Sequence, residues 1–346
     1  MRLNESKEIM KHFNELGFKN IKLIKAEEFY LKELKGVVDP EQKRILIGKL
    51  FVDIANEEIS NLSKNGELLL VQGTIYPDTI ESGSTDKAAL IKTHHNRVSE
   101  IEKLISKGKI IEPLKELYKD EVRKLGKELG LPHKLIYRHP FPGPGLAIRI
   151  ICSDKTDTQD DYKKEENSMN DILEKFQMVG KILPIKSVGV QGDFRTYHYP
   201  AVVWFKNNKY RSWEKINECS SMVINKLKTV NRLIFSLSPV GNLKLETLYL
   251  EKQNLAELRK IDAMLRSRTD EIGEIWQMPV VQLPLCNSGK KLCYVMRPVC
   301  SQDAMSASIF EMNFDLLKEI TSGIQELGNT IFYDITTKPP GTIEWE

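Results

Sequence analysis

The sequence predicts an α/β protein: a partial parallel sheet with helices, followed by a second part made of a duplicated α+β unit. Three observations carry this. Helix-period and strand-like apolar runs alternate over residues 1–135. A rigid run of prolines and glycines occupies 140–145. Beyond it, one helix–strand pattern occurs twice, 98 positions apart.

The elements follow in order. Residues 5–17 place Ile9, Met10, Phe13 and Leu16 on one helical face, with Asn4 as the expected N-cap. A short strand is expected over 20–25. Asp39-Pro40 opens a long helix, with Asp as cap and Pro in the first turn, and Ile45, Ile47, Leu50, Phe51 and Ile54 as its apolar face. Residues 67–71 read as a buried strand and 88–92 as another. Asp120 is the expected cap of a helix that stops at Gly130 and Pro132. The breaker Pro140, Pro142, Gly143, Pro144, Gly145 sets the domain boundary, giving residues 1–137 and 138–346. In the second part, Asn231–Ser238 resembles Asn329–Thr336; each run follows a helix and is followed by Pro. Pro184 and Pro279 start similar strands. Two units of about 90 residues forming paired sheets fit this pattern. Residues 154–167, dense in Asp, Lys and Gln, read as a surface loop.

Composition bounds the rest. A chain of 346 residues suggests two or three domains, each large enough for a core. The net charge of +3 is too small for a protein that coats nucleic acid. No apolar run approaches the roughly 20 residues that span a bilayer, and the start Met-Arg-Leu-Asn-Glu-Ser does not read as a signal peptide. Five cysteines with no CxxC pair fit reduced cytosolic thiols rather than disulfides or zinc ligands.

The C-terminal run Lys338-Pro-Pro-Gly-Thr-Ile-Glu-Trp-Glu346 is built to dock: two prolines stiffen it, Gly341 permits close approach and Trp345 is buriable. Lys338 and Glu344 suit a ligand with an anionic group and a donor-bearing ring; a strand end packed on its own domain fits the residues equally. Gln72-Gly73-Thr74 directly follows a strand, where open α/β sheets bind ligands. Asp78 and Glu81 can present carboxylates to Mg²⁺, or lie in a solvated turn. Lys92, His94, His95 and Asn96 form a dense polar cluster, with Lys92 placed to stabilise phosphoryl charge or the group merely hydrogen-bonding. Asp193 and Arg195 flank a glycine turn and suit ribose and phosphate, or a hairpin with a surface ion pair.

Taken together, Gln72–Ser82, Ile91–Asn96, Glu112–Lys115, Arg138–Gly145, Val188–Arg195 and the tail resemble, in order, the GMP synthetases, ligases that aminate xanthosine monophosphate (XMP). The resemblance spans most of the chain, and its doubled second part looks like the eukaryotic branch. It implies an adenine-nucleotide α-hydrolase-like ATP pyrophosphatase domain, with a lid at about 72–110, and a C-terminal XMP-binding and dimerisation domain. It implies ATP at Gln72, Gly73 and Thr74, and Mg²⁺ and pyrophosphate chemistry at Asp78 and Glu81. Lys92, His94 and His95 would belong to the closing lid. It implies XMP contacts at Arg2, Asp193, Arg195, Gln277, Lys338, Thr342 and Glu344. Expected substrates are XMP, ATP and ammonia, the last from a glutaminase domain or subunit; a homodimer is expected, and nucleic acid and membrane are not. Two family features do not occur in the sequence: the Ser-Gly-Gly-Val-Asp-Ser pyrophosphate loop and the glutaminase triad. The expectation is therefore a partial synthetase, with a non-catalytic XMP- or GMP-binding or dimerisation fragment as the alternative. Another ATP pyrophosphatase, such as an NAD synthetase or a tRNA-thiolating enzyme, fits neither the Arg138–Gly145 motif nor the tail.

Overall fold

A computed structural model describes residues 1–63, 69–76, 107–137, 141–155, 163–191, 194–289, 291–301 and 306–346. It divides into two compact units, one of Met1–Glu41 with Gly145–Glu346 and one of Gln42–Pro144. The second break falls inside the Pro/Gly run. The first differs from the sequence boundary, which placed residues 1–41 with the first part. Their contacts explain the difference: Arg259 Nε donates to the Met1 carbonyl at 2.9 Å and its Nη1 reaches Glu27 at 2.6 Å.

Within the first unit, the N-terminal segment carries α1 (Glu5–Glu15) and α2 (Glu27–Glu33). Asn4 does cap α1 by position, but in the left-handed region and without a side-chain bond. The apolar face of α1 stays open, with Phe13 and Leu16 exposed. The strand expected at 20–25 is irregular chain; no neighbouring strand pairs with it among the described residues, so its backbone has no ladder to join.

Residues 145–346 form the larger part. Their elements are α6 (Lys163–Glu174), β3 (Met178–Ile182), β4 (Ser187–Gln191), β5 (Phe194–Phe205), α7 (Trp213–Lys226), β6 (Val230–Phe235) and β7 (Leu243–Leu245). Then come α8 (Lys252–Thr269), β8 (Val280–Asn287), β9 (Leu292–Met296), β10 (Val299–Cys300), β11 (Ser308–Ile309), α9 (Phe314–Glu326) and β12 (Thr330–Asp334). One eight-stranded sheet runs β3-β5-β6-β12-β9-β8-β7, with β4 paired to the other half of the long β5.

The duplication is visible in this order. In one half β5 lies antiparallel to β3 and parallel to β6; in the other β9 lies antiparallel to β8 and parallel to β12. The paired sheets expected from the sequence are instead two halves of one sheet, joined where β6 meets β12 antiparallel. The join has a local twofold: Phe235 pairs with Tyr333, its own counterpart 98 positions on, and Ile234 with Asp334. An antiparallel pair is the arrangement in which identical strands can meet edge to edge under a twofold. It removes both strands' free edges, which separate sheets would leave open.

The two faces of this sheet are closed differently. Helices supply buried side chains such as Ile216, Cys219, Val223, Leu258, Ile261 and Leu317. The opposite cluster takes Val202, Ile234, Val281, Val295 and Phe332 from the strands, with Ile151, Leu183 and the tail's Trp345, and contains no helical residue. The C-terminal segment thus serves as a lid on the core.

In the unit Gln42–Pro144, α3 (Pro40–Ser63, starting two residues earlier) buries Ile47, Leu50 and Val52. Ile45 and Phe51, expected on the buried face, are exposed. β1 (Leu70–Val71) runs parallel to β2 (Ile110–Ile111). The strand read as buried is not so at its described end, since Leu69 is 60% and Val71 64% exposed. α4 (Lys119–Glu128) starts one residue before Asp120: Tyr118 holds the cap position and donates its N–H to Glu121 Oε2 at 2.7 Å. Gly126 of α4 faces α5 (His133–Ile136), where a Cβ would meet Ile136 at 3.5 Å, an ordinary contact. The strand expected at 88–92 lies outside the described residues.

Candidate functional site

The site is built on the docked tail. Leaving β12, Ile335 N–H donates to the Leu233 carbonyl, and the Thr336 hydroxyl exchanges hydrogen bonds with Leu233 N–H and C=O at 2.8 and 3.0 Å. Lys338 bridges to Ala307 through both backbone groups. The chain then crosses β4: Val190 N–H donates to the Pro340 carbonyl at 2.7 Å and Val188 N–H to that of Trp345 at 2.9 Å. The crossing places Gly341 opposite Gly189. Both must be small, since a Cβ on Gly341 would lie 2.9 Å from Thr336 Cγ2, and one on Gly189 2.9 Å from the Asn231 amide.

A buried charge cluster fastens this path. Asp334 accepts from Arg232 Nη1 at 2.7 Å and from Trp345 Nε1 at 2.9 Å, and its other oxygen lies 2.8 Å from Arg297 Nη1. The Arg232 guanidinium stacks 4.8 Å from the Trp345 ring centre and donates to the carbonyls of Val188 and Thr342. Arg297 donates to the Thr336 carbonyl at 2.7 Å. All three charged side chains are fully buried. Burial alone would raise the Asp334 pKa, but the two arginines and the Thr336 N–H hold it below its ordinary value. Burial lowers the Arg297 pKa to about 10, so the guanidinium stays charged near neutrality.

Glu344 sits at the mouth of this arrangement, its side chain 15% exposed. Arg149 grips it side-on, Nε to Oε2 at 2.9 Å and Nη2 to Oε1 at 2.7 Å, while Gln277 Nε2 donates to Oε1 at 3.1 Å. Gln277 is positioned by its backbone bridge to Val299. Arg149 ends a 3-10 turn, Gly145–Arg149, whose Gly145 needs its left-handed φ of 69°. Arg2 is buried too. Its N–H donates to Glu5 at 2.9 Å, and its Nε lies 4.0 Å from Asp262. Burial and the neighbouring Arg266 lower its pKa to about 10 against the pull of Asp262. Burial raises the Asp262 pKa despite Arg2, Arg149 and Arg266.

The structure therefore brings Gln277 and Glu344 into direct contact and places Arg2 in the same electrostatic neighbourhood as Arg149 and Asp262. Thr342 is half-buried, its hydroxyl donating to the Val188 carbonyl at 3.1 Å. Lys338 is half-buried beside them on the tail. Arg195 is instead held by Glu41 at 2.9 Å, which also accepts from Tyr197. Asp193 lies outside the described residues, as do Asp78, Glu81, Lys92, His94 and His95. Among the described residues no group of three or more His, Cys, Asp or Glu side chains could hold a metal. After β1, Gln72 is half-buried and Thr74 buried, with the Thr74 hydroxyl donating to Glu112 at 2.6 Å. A Cβ on Gly73 would meet nothing within 4 Å, so the backbone there is open to a ligand. No described helix is long and apolar enough to cross a membrane.

Arg149 and Asp262 were not singled out from the sequence. For Arg149 a signal existed: it is the one charge in the run Leu146-Ala-Ile-Arg-Ile-Ile151, and a charge inside an apolar run is buried with a partner or not buried at all.

Residues 267–345 match the family model described as the GMP synthase C terminal domain. A protein of Leptospira interrogans serovar copenhageni named probable GMP synthase [glutamine-hydrolyzing] is 40% identical over 98% of this chain and 57% of its own length. GMP synthases of Fusobacterium nucleatum and Thermosipho africanus are 41% and 42% identical over 69% of this chain, covering 49% and 50% of theirs. The chain thus spans about half to three-fifths of the length of these relatives. The doubled second part, likened to the eukaryotic branch, is matched through almost its whole length by a bacterial protein. The chain is similar to the GMP synthases along nearly all of its sequence, and its last eighty or so residues carry their C-terminal domain.

Proposed function

We propose that this chain serves the synthetase reaction of GMP synthesis. The 2-oxygen of XMP attacks the α-phosphorus of ATP, releasing pyrophosphate; ammonia then adds at C2 and AMP leaves, giving GMP. The chain's residues supply positioning and charge neutralisation. The observation that carries this reading is the Arg149–Glu344–Gln277 constellation on a docked tail. A carboxylate gripped by a guanidinium and partly exposed is an acceptor for purine ring N–H groups, and Gln277 adds an amide beside it. Arg2, Asp193, Arg195, Lys338 and Thr342 complete the nucleotide contacts, with Arg195 exchanging Glu41 for the ligand.

ATP is assigned to Gln72, Gly73 and Thr74, where the open backbone at Gly73 suits a close approach, in a unit read as an adenine-nucleotide α-hydrolase-like domain. Asp78 and Glu81 would hold Mg²⁺, which supplies neutralisation of phosphate charge when bound. Lys92, His94 and His95 would cover the phosphates. Ammonia would come from a glutaminase domain or subunit, and the assembly would be a homodimer in the cytosol, where the five free thiols stay reduced.

A second reading is a nucleotide-binding or dimerisation fragment without turnover. Incubation with XMP, ATP-Mg²⁺ and ammonium, following AMP and GMP together, separates the two. Formation of both products supports the synthetase; XMP binding without product supports the fragment; absence of XMP binding defeats both. Lys338→Ala should weaken XMP at least tenfold more than ATP, the size of one lost charge-assisted contact.

A further inference from the structure

The Arg138–Gly145 motif has no ligand role in the reading above, yet it leads into the most tightly held side chain of the site. We infer that Arg149 is the positioning residue for XMP recognition: it fixes Glu344 so that one carboxylate oxygen faces the purine, with the buried Asp262 offsetting the positive charge of Arg149 and Arg2. The inference rests on the proposed XMP site and names what aims it.

The geometry is specific. Oε1 of Glu344 already accepts from Arg149 Nη2 and from Gln277 Nε2, whereas among the described residues Oε2 accepts only from Arg149 Nε. A carboxylate oxygen has two lone pairs, so Oε2 keeps the acceptor site for a ligand. The side-on fork fixes the carboxylate plane in a way a lysine ammonium cannot, because a point charge allows the group to rotate. Arg149 is itself immobile. It is fully buried between Ile148 and Ile150, both at 0% exposure, and Ile150 bridges to Gln282 of β8. The glycine at 145 and the prolines before it start the turn that delivers it. Asp262, 1% exposed on α8, supplies a negative charge felt by Arg2, Arg149 and Arg266 together. The arrangement makes Arg149 a specificity element: it orients an acceptor for the N3–H, which XMP carries beside its 2-oxygen and which inosine monophosphate (IMP), whose N3 bears no hydrogen, lacks.

The test is calorimetric binding of XMP and IMP to the full chain and to Arg149→Lys, with thermal melting alongside. The lysine keeps the charge and loses the fork. The expected result is a tenfold to hundredfold weaker XMP affinity, the loss of one charge-assisted hydrogen bond, with the XMP-over-IMP preference falling by a similar factor. Unchanged XMP affinity, or equal weakening of both nucleotides with the preference intact, would overturn the inference, since a purely structural role weakens both alike. If wild-type chain binds no XMP, the functional reading fails by itself. A double-mutant cycle of Arg149→Lys with Glu344→Gln in melting, which needs no nucleotide, then decides the positioning claim: additive effects overturn it.

Discussion

Residues 1–137 and 145–346 differ in how completely they are covered. All nineteen exposed large hydrophobic side chains among the described residues lie between Met1 and Tyr137. In 145–346 the strands read almost continuously buried, six of six in β6 and five of five in β12. The contrast follows from the sheets. Eight strands with helices on one face and the tail on the other close both faces, whereas β1 and β2 are, among the described residues, a two-stranded parallel pair. Parallel sheets are ordinarily buried on both faces, and two strands are too few for independent stability. A second contrast lies in the charges. The buried guanidiniums of 145–346 are held by Asp334 and Glu344, so burial there is specific as well as apolar.

The sharpest way to break this comparison is at Asp334. Asp334→Ala leaves Arg232 and Arg297 facing each other without a carboxylate, and should cost about 3–5 kcal/mol in urea unfolding. The same group predicts a pH dependence. Its folded pKa lies below its unfolded value, so its stabilisation is complete above about pH 4 and is lost as pH falls through the depressed folded value. Wild type should therefore lose stability in that acid window more steeply than Asp334→Asn; parallel curves would remove the carboxylate from the account. Next in size is Gly180→Ala in β3, whose Cβ would lie 2.7 Å from the Val202 carbonyl and 2.9 Å from Leu173. Overpacking of that kind costs about 1–3 kcal/mol, read as a lower melting temperature. The smallest effect belongs to the other region. Phe18→Ser and Val71→Thr should change stability by no more than about 0.5 kcal/mol, while reducing aggregation in light scattering. A loss above 2 kcal/mol there would mean that these side chains are buried in solution, and the contrast would collapse.

The duplication was legible because β6 and β12 repeat Asn and apolar positions at one spacing, and their antiparallel register returns that spacing in the pair Phe235–Tyr333. The docking of the tail was legible from Trp345 and Gly341. The clasp was not. Arg232 and Asp334 sit 102 positions apart, and on a strand of period two each reads alone as a solvent-facing charge. Only the face covered by the tail turns them inward together. Boundary errors have simpler causes: Asp120 and Tyr118 compete for one cap, and residues 20–25 have strand-like composition but no partner. The grouping of residues 1–41 with the second part rests on Arg2, Glu27 and Arg259, a long-range set that local patterning does not carry.

The twofold between β6 and β12 has one more consequence. In an assembly of identical subunits, every substitution is printed twice, so a clasp on one side forces a clasp on the other. Here the two copies share a chain and have drifted apart: Arg232 is mirrored by Thr330, and Asp334 by Ser236. The same exit from the sheet is thus used in two ways. After β12 it carries the tail and Glu344 over β4; after β6 it carries β7, which seals the far edge against β8. The joint is therefore handed, with the docked tail on one flank and strand closure on the other.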